Sequence, residues 1–513
     1  MTQTANNTID KQRIAKNTLL LYVRMFFLLL VGFYTVRLLL ESLGVKDYGL
    51  YNVIFGLVTA FSFFSGAMST TVQRFICHEL GNGAEENARK VFSISLFLYG
   101  TLSVLIFILA ETAGLWFVCN KMNIPEGRYA TAQAVYQISI FMTIFKIMQI
   151  PYTAVITSYE NMRTYAQISI LDAFLHIMSV LSLKYILYDR LISFAALYTI
   201  CNLVILLIYY SYCRKNYAIC RNNITLDRQY LKSMSAFFSW NLFGATANMA
   251  KQQGLNLLLN VFCGVVLNAT WGVATQVGNA INQFVASFQQ AFNPQILKSY
   301  SNPDKRGFYE LLQSCSKYSF LLIWVVALPL LLQTEFFLTL WLGNDLPEGA
   351  VIFTQLIIIY MIFDAICGPL WIAVQATGNI KRYQVEISCL IGSTFVFSLL
   401  ALKLGAPAYS VALINTIING STLLYRLFYL RKMIQFPVYS YCVNTLLPII
   451  LAGGSSLLAG ILMASMSGPH WYTRALYLCI ISIINLLVIF SLALKSSEKK
   501  SLKSYLKTKL LHE

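Results

Sequence analysis

The sequence predicts an all-α integral membrane protein with about fourteen transmembrane helices. The first observation is composition: 57% of the 513 residues are hydrophobic and only 12% are charged, whereas soluble domains average about a quarter charged. The second is that apolar runs long enough to cross a bilayer recur along the whole chain. Because irregular backbone cannot face lipid, and because these runs do not alternate as barrel strands do, we expect helices.

Short polar segments divide these runs into separate spans, each of about 20 mostly apolar residues. The first run is longer than the apolar core of a signal peptide, and no small-residue cleavage site follows it. We therefore expect it to be a true span. The predicted spans are 17–40, 48–71, 91–118, 129–157, 165–187, 192–212, 235–259, 268–292, 314–334, 350–376, 384–403, 407–430, 441–465 and 472–494.

The basic residues orient these spans. The formal net charge is +17. An even number of spans places both termini on one side, and most Lys and Arg of the connecting loops fall on that same side. The positive-inside rule makes this side cytoplasmic. Topology thus accounts for the basic charge, so we do not expect nucleic acid as a partner, whereas the basic tail is predicted to contact anionic membrane lipids.

Several classes of chemistry are not expected from this sequence. The eleven cysteines include no C-x-x-C pair and the four histidines are scattered, so we predict neither a metal nor a disulfide. No phosphate-binding G-x-x-x-x-G-K-[ST] stretch is present, which argues against ATP hydrolysis. The predicted outer loops are short and contain a single histidine, His470, so we expect no enzyme and no cofactor.

A short polar break early in the chain has a counterpart later. LLLESLGVKDYGLYNV, Leu38 to Val53, aligns with LLNVFCGVVLNATWGV, Leu258 to Val273. Gly44 meets Gly264, and Tyr51 meets Trp271. In both copies we predict that one helix ends, a short outer turn follows and a new helix begins. Chance similarity between apolar helices is the alternative to an internal repeat.

If the repeat is real, each copy has six helices, and the copies are parallel repeats related by an axis along the membrane normal. Two such lobes facing a central cavity are typical of a transporter that works by alternating access. The predicted divisions are an N-terminal six-helix lobe at 1–212, a basic cytoplasmic linker at 213–234, a C-terminal six-helix lobe at 235–430, and two additional helices with a basic cytoplasmic tail at 431–513.

The same break carries a family resemblance, in Leu43-Gly44, Tyr48-Gly49 and Leu50-Tyr51. Later pieces agree: Gln253-Gly254, Asn293-Pro294 and Gly378-Asn379. The chain resembles the bacterial polysaccharide flippases of the O-antigen type, within the multidrug/oligosaccharidyl-lipid/polysaccharide exporter superfamily. The resemblance covers nearly the whole chain.

This resemblance implies a flippase in the bacterial inner membrane. The implied activity moves undecaprenyl-diphosphate-linked oligosaccharides from the cytoplasmic to the periplasmic leaflet, for surface polysaccharide such as lipopolysaccharide. Implied partners are the lipid-linked substrate, a polysaccharide polymerase and other assembly proteins.

Ionisable and polar side chains within the spans are the candidate binding residues, because a charge at mid-bilayer costs about 3 kcal/mol. Arg24 and Lys251 are foremost, since each lies in the opening helix of its lobe, and the resemblance implies that these helices line the cavity. Helical periodicity adds polar stripes on spans seven and eight, for which helix–helix hydrogen bonding is the alternative. The predicted cavity residues are Arg24, Lys251, Asn248, Gln252, Gln276, Asn279, Gln283, Arg37 and Lys146.

Three of the cations have a competing interpretation. Arg37 and Lys146 either face the cavity or extend to the membrane interface. Arg426, close to the predicted cytoplasmic end of its span, is expected to reach the interface in this way.

The sign of the cavity charge separates two functions. Cations suit a lipid diphosphate, whereas a cation-coupled multidrug exporter of the same superfamily, the alternative function, should show acidic residues. Asp172 and Asp364 are fewer than the cations, and we expect them either to pair with Lys146, Arg24 or Lys251 or to bind a coupling cation. A Na⁺ or H⁺ gradient or the membrane potential is the expected energy source; two charges gain roughly 5 kcal/mol per 100 mV.

Overall fold

The computed structural model describes residues 11–60, 63–120, 124, 127–186, 188–221, 226–343, 346–464, 468, 470–494 and 498–499. Every regular element within these ranges is a helix, so the predicted all-α class is confirmed. The helices are α1 Lys11–Ala60, α2 Phe63–Gly81, α3 Glu85–Leu109, α4 Leu115–Asn120, α5 Tyr129–Ser158, α6 Met162–Ser182, α7 Arg190–Asn216, α8 Arg228–Ser299, α9 Arg306–Leu332, α10 Thr334–Leu342, α11 Ala350–Thr377, α12 Lys381–Lys403, α13 Ser410–Ile434, α14 Val438–Tyr441, α15 Leu447–Leu462 and α16 Trp471–Val488.

Within the described ranges, eleven helices are long and apolar enough to cross a membrane, as expected of a multi-span membrane protein. They coincide with eleven of the predicted spans. The other three predicted spans, 48–71, 235–259 and 268–292, fall on α1, α2 and α8, except for positions 61–62, which lie outside the described residues. Two of these three segments carry the polar stripes that the sequence assigns to a cavity wall. Because polar residues lower the mean hydropathy of a helix, these two segments are less apolar than the other spans.

Two glycines interrupt the longest helices. α1 and α8 each continue through one residue with non-helical backbone angles: Gly44, with φ 77° and ψ 168°, and Gly264, with φ 84° and ψ 176°. These angles lie in a region that only glycine adopts readily. The break between two helices, predicted for both aligned segments, is therefore confirmed at both glycines.

The helices form two compact units. The first contains the described parts of Met1–Ala245, Gln290–Pro303 and Gln375–Lys381, and the second contains those of Thr246–Gln289, Asp304–Val374 and Arg382–Glu513. The predicted lobe and linker limits stay predictions; residues 222–225 of the linker and 500–513 of the basic tail lie outside the described part of the chain.

Aligned residues of the two breaks have similar surroundings in their own units. Leu39 and Leu259 are both buried in an apolar core. Tyr51 stacks edge-on against Phe194, with ring centroids 5.3 Å apart, and Trp271 stacks in the same way against Phe353 at 6.0 Å. In each unit the segment around the break is thus fixed by aliphatic and aromatic packing, which orients the helix that precedes it.

One arginine ties three connections of the first unit together. Arg128, just before α5, contacts the carboxylates of Asp47 and Asp189; its Nε donates to Asp47 Oδ1 at 2.9 Å. Asp189 also accepts hydrogen bonds from the backbone N–H groups of Leu191 and Ile192, which makes it the N-cap of α7. The segment after Gly44 is therefore joined to the starts of α5 and α7.

The two C-terminal helices pack on α9 within the second unit. The indole of Trp324 donates to Ser456 Oγ at 2.8 Å, and the amide of Asn485 donates to the Trp324 carbonyl at 3.3 Å. Beyond α16, Glu498 pairs with Lys317 at 2.8 Å, and the two side chains are only 13% and 3% exposed. A buried ion pair thus anchors the end of the described chain on α9.

Candidate functional site

The first unit contains a cluster of charged and aromatic side chains from four helices. Arg24 of α1 donates to the Tyr165 hydroxyl of α6 at 3.3 Å, and its guanidinium carbon lies 4.7 Å from the centre of that ring. Lys146 of α5 donates to the Tyr198 hydroxyl of α7 at 2.9 Å and lies 4.9 Å from the ring centre. Each cation is thus held by a tyrosine through both a hydrogen bond and a cation–π contact.

Asp172 supplies the negative charge of this cluster. It is half-buried on α6, within electrostatic range of Lys146 and Arg24. Its Oδ1 is buried and has no hydrogen-bond partner among the described residues. His176, one turn along the same helix, stacks on Tyr198 with ring centroids 4.1 Å apart. The structure therefore places Asp172 within electrostatic range of two of the cations expected to pair with it, and the pairing itself stays a prediction.

The second unit contains a comparable cluster around Lys251 of α8. The ammonium group donates to the Tyr360 hydroxyl of α11 at 3.3 Å and to Asn415 Oδ1 of α13 at 3.2 Å. It also lies 5.1 Å from the centre of the Tyr360 ring. The Asn419 amide, one turn beyond Asn415, donates to the Tyr360 backbone carbonyl at 3.0 Å, which ties α13 to α11 beside the lysine.

Asp364 and Arg426 complete the second cluster. Asp364 lies one turn beyond Tyr360 on α11, within electrostatic range of both Arg426 and Lys251. Arg426 donates from Nε to the hydroxyl of the buried Tyr383 at 2.8 Å. Arg426 thus has a hydroxyl partner inside its unit, and the expectation that it extends to the membrane interface stays a prediction.

The two clusters have the same composition, taken each within its own unit. Each combines two cations, one aspartate and two tyrosines, so each carries an excess positive charge. The tyrosine hydroxyls are neutral acceptors, and they position the cations without cancelling their charge. Such an arrangement favours an anionic group, which cations bind through charge-assisted hydrogen bonds. The first cluster consists of Arg24, Lys146, Asp172, Tyr165 and Tyr198, and the second of Lys251, Arg426, Asp364, Tyr360 and Tyr383.

The polar stripes of α8 are exposed in the second unit. Their side chains project from segments predicted to lie within the bilayer, where exposed amides suit water better than lipid. Their assignment to a cavity wall stays a prediction. The exposed stripe residues are Asn248, Gln252, Gln276, Asn279 and Gln283.

Arg37 is paired locally. Its Nε lies 2.9 Å from Glu41 Oε1, one turn along the same helix, and the two side chains are 77% and 52% exposed. Glu41 therefore balances its charge, and a cavity role for Arg37 stays a prediction.

The tyrosines and asparagines of the clusters were not predicted from the sequence. Tyr165, Tyr198, Tyr360 and Tyr383 are four of 31 tyrosines, and nothing in their spacing separates them from the others. Asn415 and Asn419 did offer a signal, because two amides one helical turn apart in an apolar span form a polar face.

Solved membrane transporters share this fold. A MOP superfamily transporter from Pyrococcus furiosus, described with a binding pocket of reverse polarity that suggests a different function, superposes with a TM-score of 0.70 at 11% identity, covering 83% of this chain and 96% of that one. A multidrug resistance MATE family transporter of the MOP superfamily, in an outward-facing conformation, gives 0.70 at 12% identity, covering 84% and 97%. The chain thus has the fold of the MOP superfamily transporters, as the resemblance implied.

Sequence comparison identifies a related protein but does not assign the chain to a family. The uncharacterized membrane protein EpsK of Bacillus subtilis strain 168 is 23% identical over 387 residues, which are 72% of this chain and 73% of that protein. No known family profile matches the sequence. Membership of the O-antigen flippase family therefore stays a prediction.

Proposed function

We propose that this protein is a flippase for undecaprenyl-diphosphate-linked oligosaccharides, which it moves from the cytoplasmic to the periplasmic leaflet of a bacterial inner membrane by alternating access. The observation that carries the proposal is the composition of the two clusters. Each cluster holds two cations against one carboxylate, and tyrosine hydroxyls position those cations. A diphosphate brings about two negative charges, and cations bind phosphate oxygens through charge-assisted hydrogen bonds.

A cation-coupled multidrug exporter is the second candidate function. The superposition on multidrug MATE transporters favours it at the level of fold, and Asp172 and Asp364 supply a carboxylate in each unit. Charge favours the flippase, because a positive cluster repels a cationic drug. The reverse polarity described for the binding pocket of the Pyrococcus furiosus transporter is a precedent, within this fold, for a change of function with pocket charge.

The energy source in this proposal is a Na⁺ or H⁺ gradient or the membrane potential. An inside-negative potential drives an anion outwards, by roughly 5 kcal/mol per 100 mV for two charges. The proposed partners are the lipid-linked substrate, the surrounding lipids, a polysaccharide polymerase and other assembly proteins.

Removal of cluster cations tests the proposal. Arg24→Ala and Lys251→Ala should each lower surface polysaccharide in the native host, and should weaken binding of a lipid diphosphate to the purified protein about tenfold or more, because a hydrogen bond to a charged group contributes about 1.5–3 kcal/mol. Arg382→Ala is the control, since it removes an exposed cation that is not among the predicted cavity residues.

Two outcomes would overturn the flippase assignment. The first is wild-type polysaccharide display in both cluster variants. The second is a gene deletion that leaves surface polysaccharide intact but sensitises the host to cationic drugs, which would establish the multidrug exporter instead.

A further inference from the structure

An unusual glutamate lies in the turn between α5 and α6. Glu160 has a φ of 59°, a left-handed conformation that is rare for residues other than glycine, and it is only 8% exposed. Asn17 of α1 donates from its side-chain amide to the Glu160 backbone carbonyl at 3.4 Å. This left-handed conformation ends α5 in a Schellman motif, in which the Glu160 N–H donates to the Thr157 carbonyl at 2.9 Å and the Asn161 N–H donates to the Ile156 carbonyl at 3.0 Å.

The side chain of Glu160 is held by the end of α8. Lys298 donates to Glu160 Oε1 at 2.9 Å, and Gln295 donates to Oε2 at 3.1 Å. The side chain of Glu160 is 7% exposed and that of Lys298 is 24% exposed, so water screens their attraction only weakly. Both carboxylate oxygens are thus bound by one short segment that comes from far along the chain.

Further contacts hold this segment and the end of α11 within the first unit. Ser301 donates to the His78 carbonyl at 3.2 Å, and Gly81 packs so closely on the Lys298 carbonyl that a β-carbon there would lie 2.9 Å from the oxygen. Arg74 donates to the Ala376 carbonyl at 3.4 Å.

These contacts join parts of the chain that the predicted repeat assigns to different copies. The helices α2, α5 and α6 belong to the first predicted copy, whereas the ends of α8 and α11 belong to the second. All of the contacting segments lie on the predicted cytoplasmic side. Closure at this side is what alternating access requires while the opposite side is open.

We propose that Glu160 and Lys298 form a releasable latch that keeps the cytoplasmic side closed, and that release of Lys298 and Gln295 opens it. The inference rests on the proposed transport function only in its account of why the cytoplasmic side opens. The experiment on the latch therefore uses no substrate.

A native cysteine reports on the latch. Cys77 of α2 is fully buried, within electrostatic range of both Lys298 and Glu160. Cys213 of α7 is equally buried, with its thiol against the Tyr152 carbonyl of α5. A maleimide should therefore reach Cys77 when the latch opens, whereas it should reach Cys213 only when the first unit unfolds.

The experiment measures maleimide labelling of these two cysteines by peptide mass spectrometry, on the full chain in lipid nanodiscs. Glu160→Gln and Lys298→Gln should each speed labelling of Cys77 at least tenfold and leave Cys213 unchanged. Glu160→Gly should do the same without misfolding, since glycine accepts this φ. Lys298→Arg keeps the charge and should keep Cys77 protected, and Arg382→Gln, which breaks an exposed ion pair, is the control.

Labelling of Cys77 at the wild-type rate in all three latch variants would overturn the proposal. A parallel rise at both cysteines would also overturn it, because the pair would then hold the fold rather than a closure. Neither result depends on whether a lipid diphosphate is the substrate, so failure of the latch and failure of the flippase assignment are separate outcomes.

Discussion

Gly44 and Gly264 have the same backbone conformation at aligned positions of the sequence, with φ and ψ of 77° and 168° in one and 84° and 176° in the other. A β-carbon built on either glycine meets no atom within 4 Å. The requirement for glycine is therefore conformational and not a matter of space.

Alanine at either position should destabilise the protein. We expect Gly44→Ala and Gly264→Ala each to cost about 1–3 kcal/mol, because these backbone angles are strained for any residue with a side chain. Thermal unfolding of the purified protein in detergent measures the effect. Gly32→Ala is the matched control: it lies in the same helix as Gly44, has open space around it, and should be neutral or slightly stabilising. Equal midpoints for Gly44→Ala and Gly32→Ala would contradict this explanation.

These glycines also show what sequence alone predicts well. A helix break is a local property, so a glycine between two apolar runs was sufficient to predict it. The same holds for most spans, since hydropathy is summed within one helix. Lys146 and Asp172 could be found in this way, because a charge inside an apolar run is conspicuous. Their tyrosine partners could not, because which hydroxyl meets which cation depends on how the helices pack. The contact of Arg426 with Tyr383 was hidden for the same reason.

The ion pair between Lys317 and Glu498 should contribute strongly to stability. Glu498→Gln leaves a buried ammonium group without its counter-charge, and breaking a buried pair costs about 3–5 kcal/mol. Glu41→Gln, which breaks the exposed pair with Arg37, should cost at most about 1 kcal/mol. The free energy of unfolding in mixed detergent micelles compares the two variants, and similar losses would show that burial does not control the contribution.

The contacts of Arg128 predict a dependence on pH. Burial opposes the charge of Asp189, but hydrogen bonds from the Ile192 and Leu191 N–H groups and Thr131, together with Arg128, outweigh it and lower the pKa of this carboxyl. A lowered pKa stabilises the fold above the ordinary Asp value of about 3.9, and the contribution is lost as pH falls through the folded-state pKa.

Asp189→Asn isolates that charge, since asparagine still caps α7. The wild type should be more stable than the variant at pH 7 by about 1 kcal/mol, an amount limited by solvent screening. The difference should begin to shrink below about pH 4 and should vanish once pH has fallen through the lowered folded-state pKa. Unfolding midpoints between pH 7 and pH 3 provide the measurement. A difference that does not change with pH would assign the effect to the cap and not to the ion pairs.

Substitution of the aspartates in the two clusters distinguishes two roles for them: pairing with the neighbouring cations, and binding of a coupling ion. We expect Asp172→Asn and Asp364→Asn to leave the dependence of transport on Na⁺ and pH unchanged, and to strengthen binding of a lipid diphosphate, because each removes a negative charge beside two cations. Transport by reconstituted vesicles under imposed gradients tests this. If either variant loses its response to one gradient, that aspartate binds the coupling ion.

The contacts of Arg128 also set an order of events during synthesis. Asp47 lies 81 residues before Arg128, and Asp189 lies 61 residues after it. At about 5–20 residues per second, the ribosome needs roughly 3–12 seconds to pass from Arg128 to Asp189. Throughout that interval the nascent chain has Asp47 and Arg128 but not the cap of α7. Insertion of α7 is therefore the step that completes this end of the N-terminal unit, and chains halted before residue 189 should be open to quality-control proteases there.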